Sequence, residues 1–454
     1  MPKTTIKKPM SKRPAAKRPA AKRPKIVSRP RGTDGVLKAV LPNGLTVIIK
    51  ENHHAPVATF WCWYRVGSRH ERSGITGISH WVEHMLFKGT HTFPGRTADQ
   101  AVSREGGQWN GMTWLDFTTY FETLPAEKFE LALALESDRM ANAPFKPSEV
   151  EPERTVIISE KQGGENNPRH LLGEEVQAAA FKVHGYGHET IGHLCDLQTM
   201  TRDDLYNHYR TFYTPRNAVA VAVGAFRAED ALDKINRYFG KIKPGPEIPK
   251  YTAVEPAQRG ERRVNVEGPG QTAYVELAYH APAANEPDFP ALVAADAILA
   301  GASSLSIFGG GATNASSRLY KALVDAELTT DIGSSLIPTA DPYLYGLSAT
   351  VRNGHTPHEV IVALDREIDR IVNEPVQPEE LAKALKQARA QFAYGSESVT
   401  NQGFWYGWSE VFADYHWFET YLDRLATVTI EDVQRAAQKY LRRSNRVIGT
   451  YLPK

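Results

Sequence analysis

The residues best suited to chemistry lie in one short run, His80-Trp81-Val82-Glu83-His84. Around it, Gly77–Phe87 (GISHWVEHMLF) carries Ile78, Val82, Met85 and Leu86 at helical spacing. On a helix, His80 and His84 are one turn apart and project from the same face. Two imidazoles so placed can hold one metal ion. Glu83 lies beside that face, where a carboxylate can accept a proton from a water polarised by the metal. Imidazole and carboxylate suit zinc, and a fourth position left open suits catalysis.

A third ligand must come from elsewhere in the chain. The run Glu151–Gln162 (EPERTVIISEKQ) has Pro152 placed to open a helix. Glu153 and Glu160 are two helical turns apart and share a face. Spacing alone leaves Glu151, Glu153, Glu160 and Glu165 all open.

These motifs need a scaffold. The chain has 454 residues, which suits two or three domains, and its 41% hydrophobic and 23% charged composition is that of a soluble globular protein. LPNGL at Leu41–Leu45 is a turn between apolar runs, and Val57–Val66 (VATFWCWYRV) reads as a buried strand. Residues 244–262 are rich in Pro, Gly and charge and read as a linker. The segments on either side end alike. Thr201–Leu205 (TRDDL) precedes a helical stretch and then a β-rich run from Asn217; Thr429–Val433 (TIEDV) does the same before Asn445. The offset is 228 residues in both cases. The pattern predicts tandem α+β domains of one fold, over residues 35–243 and 263–454.

Residues 1–34 read as a disordered tail built on KRPAA repeats, with the ordered chain starting near Val36. Residues 1–31 hold twelve Lys or Arg and no acid, so the other 42 basic residues face 52 acidic ones, a net of −10. The body is therefore not a basic nucleic-acid binder; the tail alone could touch nucleic acid or an anionic surface, against the plainer reading of a solvated extension. The tail lacks a secretory h-region, and its regular prolines oppose a presequence helix, so a cytoplasmic location is expected. The longest apolar run, Ala218–Phe226, is about half of a membrane span. Cys62 and Cys195 exclude a disulfide framework or a four-cysteine zinc site and suit a reducing compartment. His184, His188 and His193 are irregularly spaced and read as a loop; Phe404–Trp408 (FWYGW) reads as core packing.

HWVEH followed by MLFKGT resembles the inverted zinc motif of the pitrilysin/insulinase metallopeptidases, the inverzincins. ERTVIISE at Glu153–Glu160 is similar to the family's second motif. That resemblance makes Glu160 the third zinc ligand and Glu153 an acidic neighbour, grouped with Glu83 as catalytic. GGQWNGMTWLDFTTY at Gly106–Tyr120 resembles the family's edge strand, which pairs with an extended substrate. It implies substrate-binding roles for Gly107, Asn110 and Gly111. HGYGHETIGHLCDL at His184–Leu197 also matches a family loop.

The resemblance is to the short, two-domain members related to the mitochondrial processing peptidase. It implies two homologous domains, each an antiparallel-rich sheet packed with helices, forming half of a clamshell. It also implies one Zn²⁺ per chain and hydrolysis of extended peptides, with Glu83 moving a proton from water to the leaving amine. Active clamshells carry an Arg and a Tyr, seven apart, in a second half; Val324 and Asp331 stand at those places here, while Arg318 and Tyr320 are out of register. A homologous partner subunit, in a hetero-oligomer or homodimer, is therefore expected. The alternative is a catalytically silent assembly subunit of the same fold. The span Ala302–Ser317, with Gly309–Gly311, reads as a surface insertion.

Overall fold

A computed structural model of the chain describes residues 23–28, 35–306 and 315–454. Most of the basic tail, and Gly309–Gly311, lie outside them. The described strands form two sheets. The first holds β1 (Lys25–Ser28), β2 (Val36–Val40), β3 (Thr46–Glu51), β4 (Val57–Tyr64), β5 (Gln108–Thr113), β6 (Thr118–Pro125) and β7 (Ala218–Gly224), in the order β1-β2-β3-β7-β4-β6-β5. The second holds β8 (Arg262–Gly268), β9 (Tyr274–His280), β10 (Thr329–Leu336), β11 (Leu344–Val351) and β12 (Arg446–Pro453), in the order β10-β11-β9-β12-β8.

The repeat seen in the sequence is a repeat of topology. Strands β3-β7-β4-β6-β5 and β8-β12-β9-β11-β10 run in the same order and the same senses, with one parallel pair each, β3/β7 and β8/β12. The matched residues also do matched work. Thr201 and Thr429 each cap a helix, with Asp204 and Asp432 bonding back to them. The Asn217 amide donates to the carbonyls of Phe212 and Arg65; Asn445 donates to those of Tyr440 and His280. Each asparagine ties a helix end to the end of the strand beside it.

One sequence expectation needs correction here. The sequence places the start of the ordered chain near Val36, yet Lys25–Ser28, inside the span assigned to the tail, pairs antiparallel with β2. Its Ile26 packs against the first core. Ile26, with the β-branched Val27 beside it, suffices once an open sheet edge is available. Residues of the linker span bond to the first domain. The Glu255 carboxylate accepts the backbone N–H groups of Lys182, Val183 and His184, the Tyr251 hydroxyl accepts that of Gly185, and β8 begins at Arg262.

Five helices bear on the site and on the join between the domains: α1 (Ile78–Leu86), α2 (Pro147–Glu165), α3 (Pro168–Ala180), α4 (Phe289–Leu299) and α5 (Val399–Phe412). The domains trade coverage. From the first domain, α3 packs on β8, β9 and β12; from the second, α5 packs on β4 and β7. The FWYGW aromatics lie on α5 with Phe404, Trp405, Tyr406 and Trp408 buried, as expected of core residues. Gly403 and Gly407, one turn apart, let the helix backbone rest on Trp61 and Trp63. A Cβ at 407 would lie 2.0 Å from the Trp63 indole nitrogen.

Gly407→Ala is expected to lower stability by about 1–3 kcal/mol, because the helix must back away from Trp63. Gly163→Ala, on the exposed side of α2 with open space around its Cβ, is expected to stabilise by about 0.5–1 kcal/mol. Denaturant midpoints of the two variants check this; equal midpoints would refute the tight packing of α5.

Candidate metal centre

α1 carries His80, Glu83 and His84, and its start is fixed from several sides. Gly77 caps it with φ of 85°, and a Cβ there would strike the Ile191 carbonyl at 2.3 Å. The buried Glu71 carboxylate accepts the N–H groups of Gly77 (2.7 Å) and Ser79 (2.8 Å), meeting the helix's free donors. His188 lies 3.0 Å from Glu71 through Nε2, and Asp196 accepts the N–H groups of Gly74 and Thr76. The loop His184–Leu197 thus acts as a clasp on α1. Its histidines do not converge, since His184 faces Asp341 instead.

α2 runs across α1. It begins at Pro147, five residues earlier than the sequence suggested, and Pro152 lies inside it. Val150, Glu153, Ile157 and Lys161 form its buried stripe. Glu160 reaches His80 Nε2 at 3.9 Å and His84 Nε2 at 3.6 Å through one carboxylate oxygen. Glu153, one of the four carboxylates that spacing left open, lies 2.8 Å from His84 Nδ1 and also pairs with Lys88. Glu151 turns away to Arg154, and Glu165 lies beside Lys161.

The three donors fit a zinc ion. Ligand atoms about 2.0–2.1 Å from a tetrahedral ion stand roughly 3.3–3.5 Å apart, close to the separations seen here. Glu153 accepts the Nδ1 proton of His84, so Nε2 is left to ligate. Burial, and secondarily His84, push His80 down to about 3, which keeps its imidazole neutral. Burial opposes protonation of His84, but the Glu153 hydrogen bond and the carboxylates around it raise its pKa overall.

Glu83 is buried, and burial pushes it up to about 7 against the opposing bond from Thr113. The Thr113 hydroxyl donates to Glu83 Oε2 at 2.7 Å. A cavity of about 450 Å³ opens from His80, Thr113 and Glu160 toward His170, Glu189 and Tyr343, so both domains line it.

The expected substrate strand is β5, and it forms an edge of the first sheet. Asn110 is exposed, and its side chain accepts the Gly111 N–H at 2.9 Å. Gly107 precedes the strand, and its N–H is taken by the Val102 carbonyl. Val324 packs against the second core, and Asp331 is held by Arg169 at 2.7 Å. Arg318 forms a two-pronged pair with Glu380, and Tyr320 packs on the core.

Several site residues escaped the sequence reading. Glu71 lies outside every motif, while Lys88 and Thr113 fall inside the MLFKGT and GGQWNGMTWLDFTTY segments without being singled out. A second cluster, His170, Glu174 and Glu189, adjoins the same cleft, which His170 and Glu189 line. The spacing of His170 and Glu174, one turn apart on α3, was a signal for it. Lys161 already provides a cation there, 3.1 Å from Glu174 and 4.0 Å from Glu189.

Comparison with known proteins bears on the family and the fold. Residues 46–193 match the profile described as insulinase (peptidase family M16), and residues 199–388 match that of the peptidase M16 inactive domain. The zinc protease PqqE of Helicobacter pylori is 28% identical over 418 residues, spanning 88% of this chain and 89% of that protein. A probable mitochondrial-processing peptidase subunit beta of Arabidopsis thaliana is 28% identical over 69% of this chain, which spans 59% of that protein's length. The crystal structure of a protease from Helicobacter pylori superposes with a TM-score of 0.87 at 25% identity, covering 93% of this chain and all of that one. With the inverted zinc motif, the repeated fold and both profiles in agreement, the chain belongs to the pitrilysin/insulinase (M16) family of peptidases.

Proposed function

We propose that this chain is a zinc-dependent endopeptidase, or the zinc-bearing subunit of one, acting on extended peptides or unfolded segments. What supports this reading is the convergence of His80, His84 and Glu160 from two helices, with the Glu83 carboxylate beside them in a cleft. One Zn²⁺ per chain would be held by those three donors. When bound, it supplies Lewis-acid polarisation of the water and of the scissile carbonyl.

The protein's own residues do the rest. Glu153 keeps His84 in the ligating tautomer. Glu83 accepts the proton of the attacking water and returns it to the leaving amine nitrogen. An extended peptide adds to β5 through main-chain hydrogen bonds, which demands little of its side chains. To use the Gly111 N–H, the peptide must displace the Asn110 side chain that occupies it.

Among the described residues, the second half offers no Arg/Tyr pair to the cleft. α4, the counterpart of α1, is buried on all sides and has neither His nor Glu. A second copy of this chain would bring Val324 and Asp331 again. A different, homologous subunit is therefore the partner we propose for full activity, since one oxyanion donor is typically worth about 10²–10³ in rate. The same residues favour a second reading, a silent assembly subunit. No helix among the described residues is long and apolar enough to cross a membrane.

Cleavage of a quenched extended peptide, with and without chelator, separates these readings. Chelator-sensitive cleavage by the chain alone would make the partner unnecessary. Cleavage appearing only after a homologous subunit is added would support the hetero-oligomer; a zinc-loaded chain inactive in both settings would support the silent subunit. Glu83→Gln is expected to retain zinc and lose about 10²–10⁴ in kcat; retained turnover would remove its role. By metal analysis, Glu160→Gln is expected to lose zinc, while Glu153→Gln keeps it with about 10–100-fold weaker affinity.

A further inference from the structure

From the contacts around Glu83 we infer that Thr113 is a positioning residue, which orients the proton-accepting carboxylate from the strand expected to receive the peptide. The inference rests on the peptidase reading above. Thr113 closes β5, and its side chain is buried against α1 although the strand lies at the sheet edge.

Its hydroxyl proton has two acceptors within reach, Glu83 Oε2 at 2.7 Å and Thr118 Oγ1 at 3.3 Å. The carboxylate is nearer, and an anionic acceptor makes the stronger bond. Thr118 has its own use: it donates to the Val66 carbonyl at 3.0 Å and can accept from the Tyr213 hydroxyl at 3.2 Å. With the Thr118 proton directed to Val66, the Thr113 proton is left for Glu83.

The other end of Glu83 is also fixed. The Tyr120 hydroxyl reaches its backbone carbonyl at 3.4 Å, and the helix turn itself is clasped at Gly77 and Ser79. The side-chain torsions are what remain free, and Thr113 restrains them at Oε2. Oε1 is then left to face the attacking water. Because Thr113 belongs to β5, a peptide that pairs with the strand and the carboxylate that serves it are held by one element. Without the hydroxyl, the carboxylate can turn on its own axis while the metal ligands and the strand stay in place.

Two substitutions separate this role from packing. Thr113→Val keeps the shape and removes the donor; Thr113→Ser keeps the donor and removes a methyl. In the full chain, with the partner subunit if cleavage requires it, Thr113→Val is expected to keep its zinc content and KM while kcat falls about 10–100-fold. Thr113→Ser is expected to recover kcat to within a few-fold of the unsubstituted chain. A Thr113→Val chain with unchanged kcat, or a Thr113→Ser chain as impaired as Thr113→Val, would overturn the inference.

Crystal structures of the same variants give a readout independent of turnover. The Glu83 carboxylate should keep its orientation with Thr or Ser at 113 and rotate or split with Val. An unmoved carboxylate in Thr113→Val overturns the inference whatever the activity. If the unsubstituted chain shows no chelator-sensitive cleavage in either setting, the peptidase reading fails instead, and the carboxylate's orientation still decides the role of Thr113.

Discussion

His84 can offer Nε2 to a metal only while its proton stays on Nδ1, and Glu153 holds it there from the neighbouring helix. That one bond ties α1 to α2 at the register that brings Glu160 within reach of both histidines. Lys88 shares the Glu153 carboxylate, so the acid keeps its charge despite partial burial. Burial opposes this, but the bonds from His84 and Lys88 outweigh it and lower the Glu153 pKa. A slide of α2 by one residue would turn both carboxylates off the shared face by about 100°. The clasp of Glu71, His188 and Asp196 at the other end of α1 serves the same requirement.

The domain arrangement follows from a different constraint. Each sheet has a face too apolar to leave in water, and each is covered partly by a helix of the other domain. The Trp61–Gly403 and Trp63–Gly407 contacts bring helix backbone onto indole rings without an intervening side chain. The buried Asp116 carboxylate joins the halves again, accepting the Tyr186 hydroxyl at 2.7 Å and the Ala340 N–H at 2.9 Å. The cleft beside the metal ligands is therefore a product of both halves, though the chemistry sits in one. In the second half the helix equivalent to α1 has become wholly apolar apart from Asp296, whose buried carboxylate takes the Tyr345 hydroxyl at 3.0 Å. The two halves share a scaffold, and where the first carries its candidate ligands the second carries core.

Where the sequence was legible, a local rule applied. The i, i+4 histidines, the threonine caps at Thr201 and Thr429, the turn at Asn43-Gly44 and the aromatic, β-branched run of β4 each depend on neighbours in the chain. Where it was not, the deciding partner was far away. Pro152 looked like a helix start because proline favours the first turn; α2 instead begins at Pro147, and packing against α1 carries the helix through. Lys25–Ser28 looked like tail because only an open edge at β2 makes it a strand. Neither Glu71 nor Thr113, although the latter lies within the edge-strand segment, is marked out by spacing, since their value lies in reaching α1 from a loop and from a strand.

By itself, the sequence determined that two imidazoles share a helical face with a carboxylate beside them and that the fold is repeated. These follow from helical periodicity and from residue type. Spacing left four nearby carboxylates open and only resemblance picked among them; the tertiary structure brings Glu160 to both histidines, sets Glu153 against His84 and sets the Thr113 hydroxyl against Glu83. Those choices depend on how one helix crosses another and on where a distant strand ends. They are set by the packing of side chains that are separated in the chain and adjacent in space.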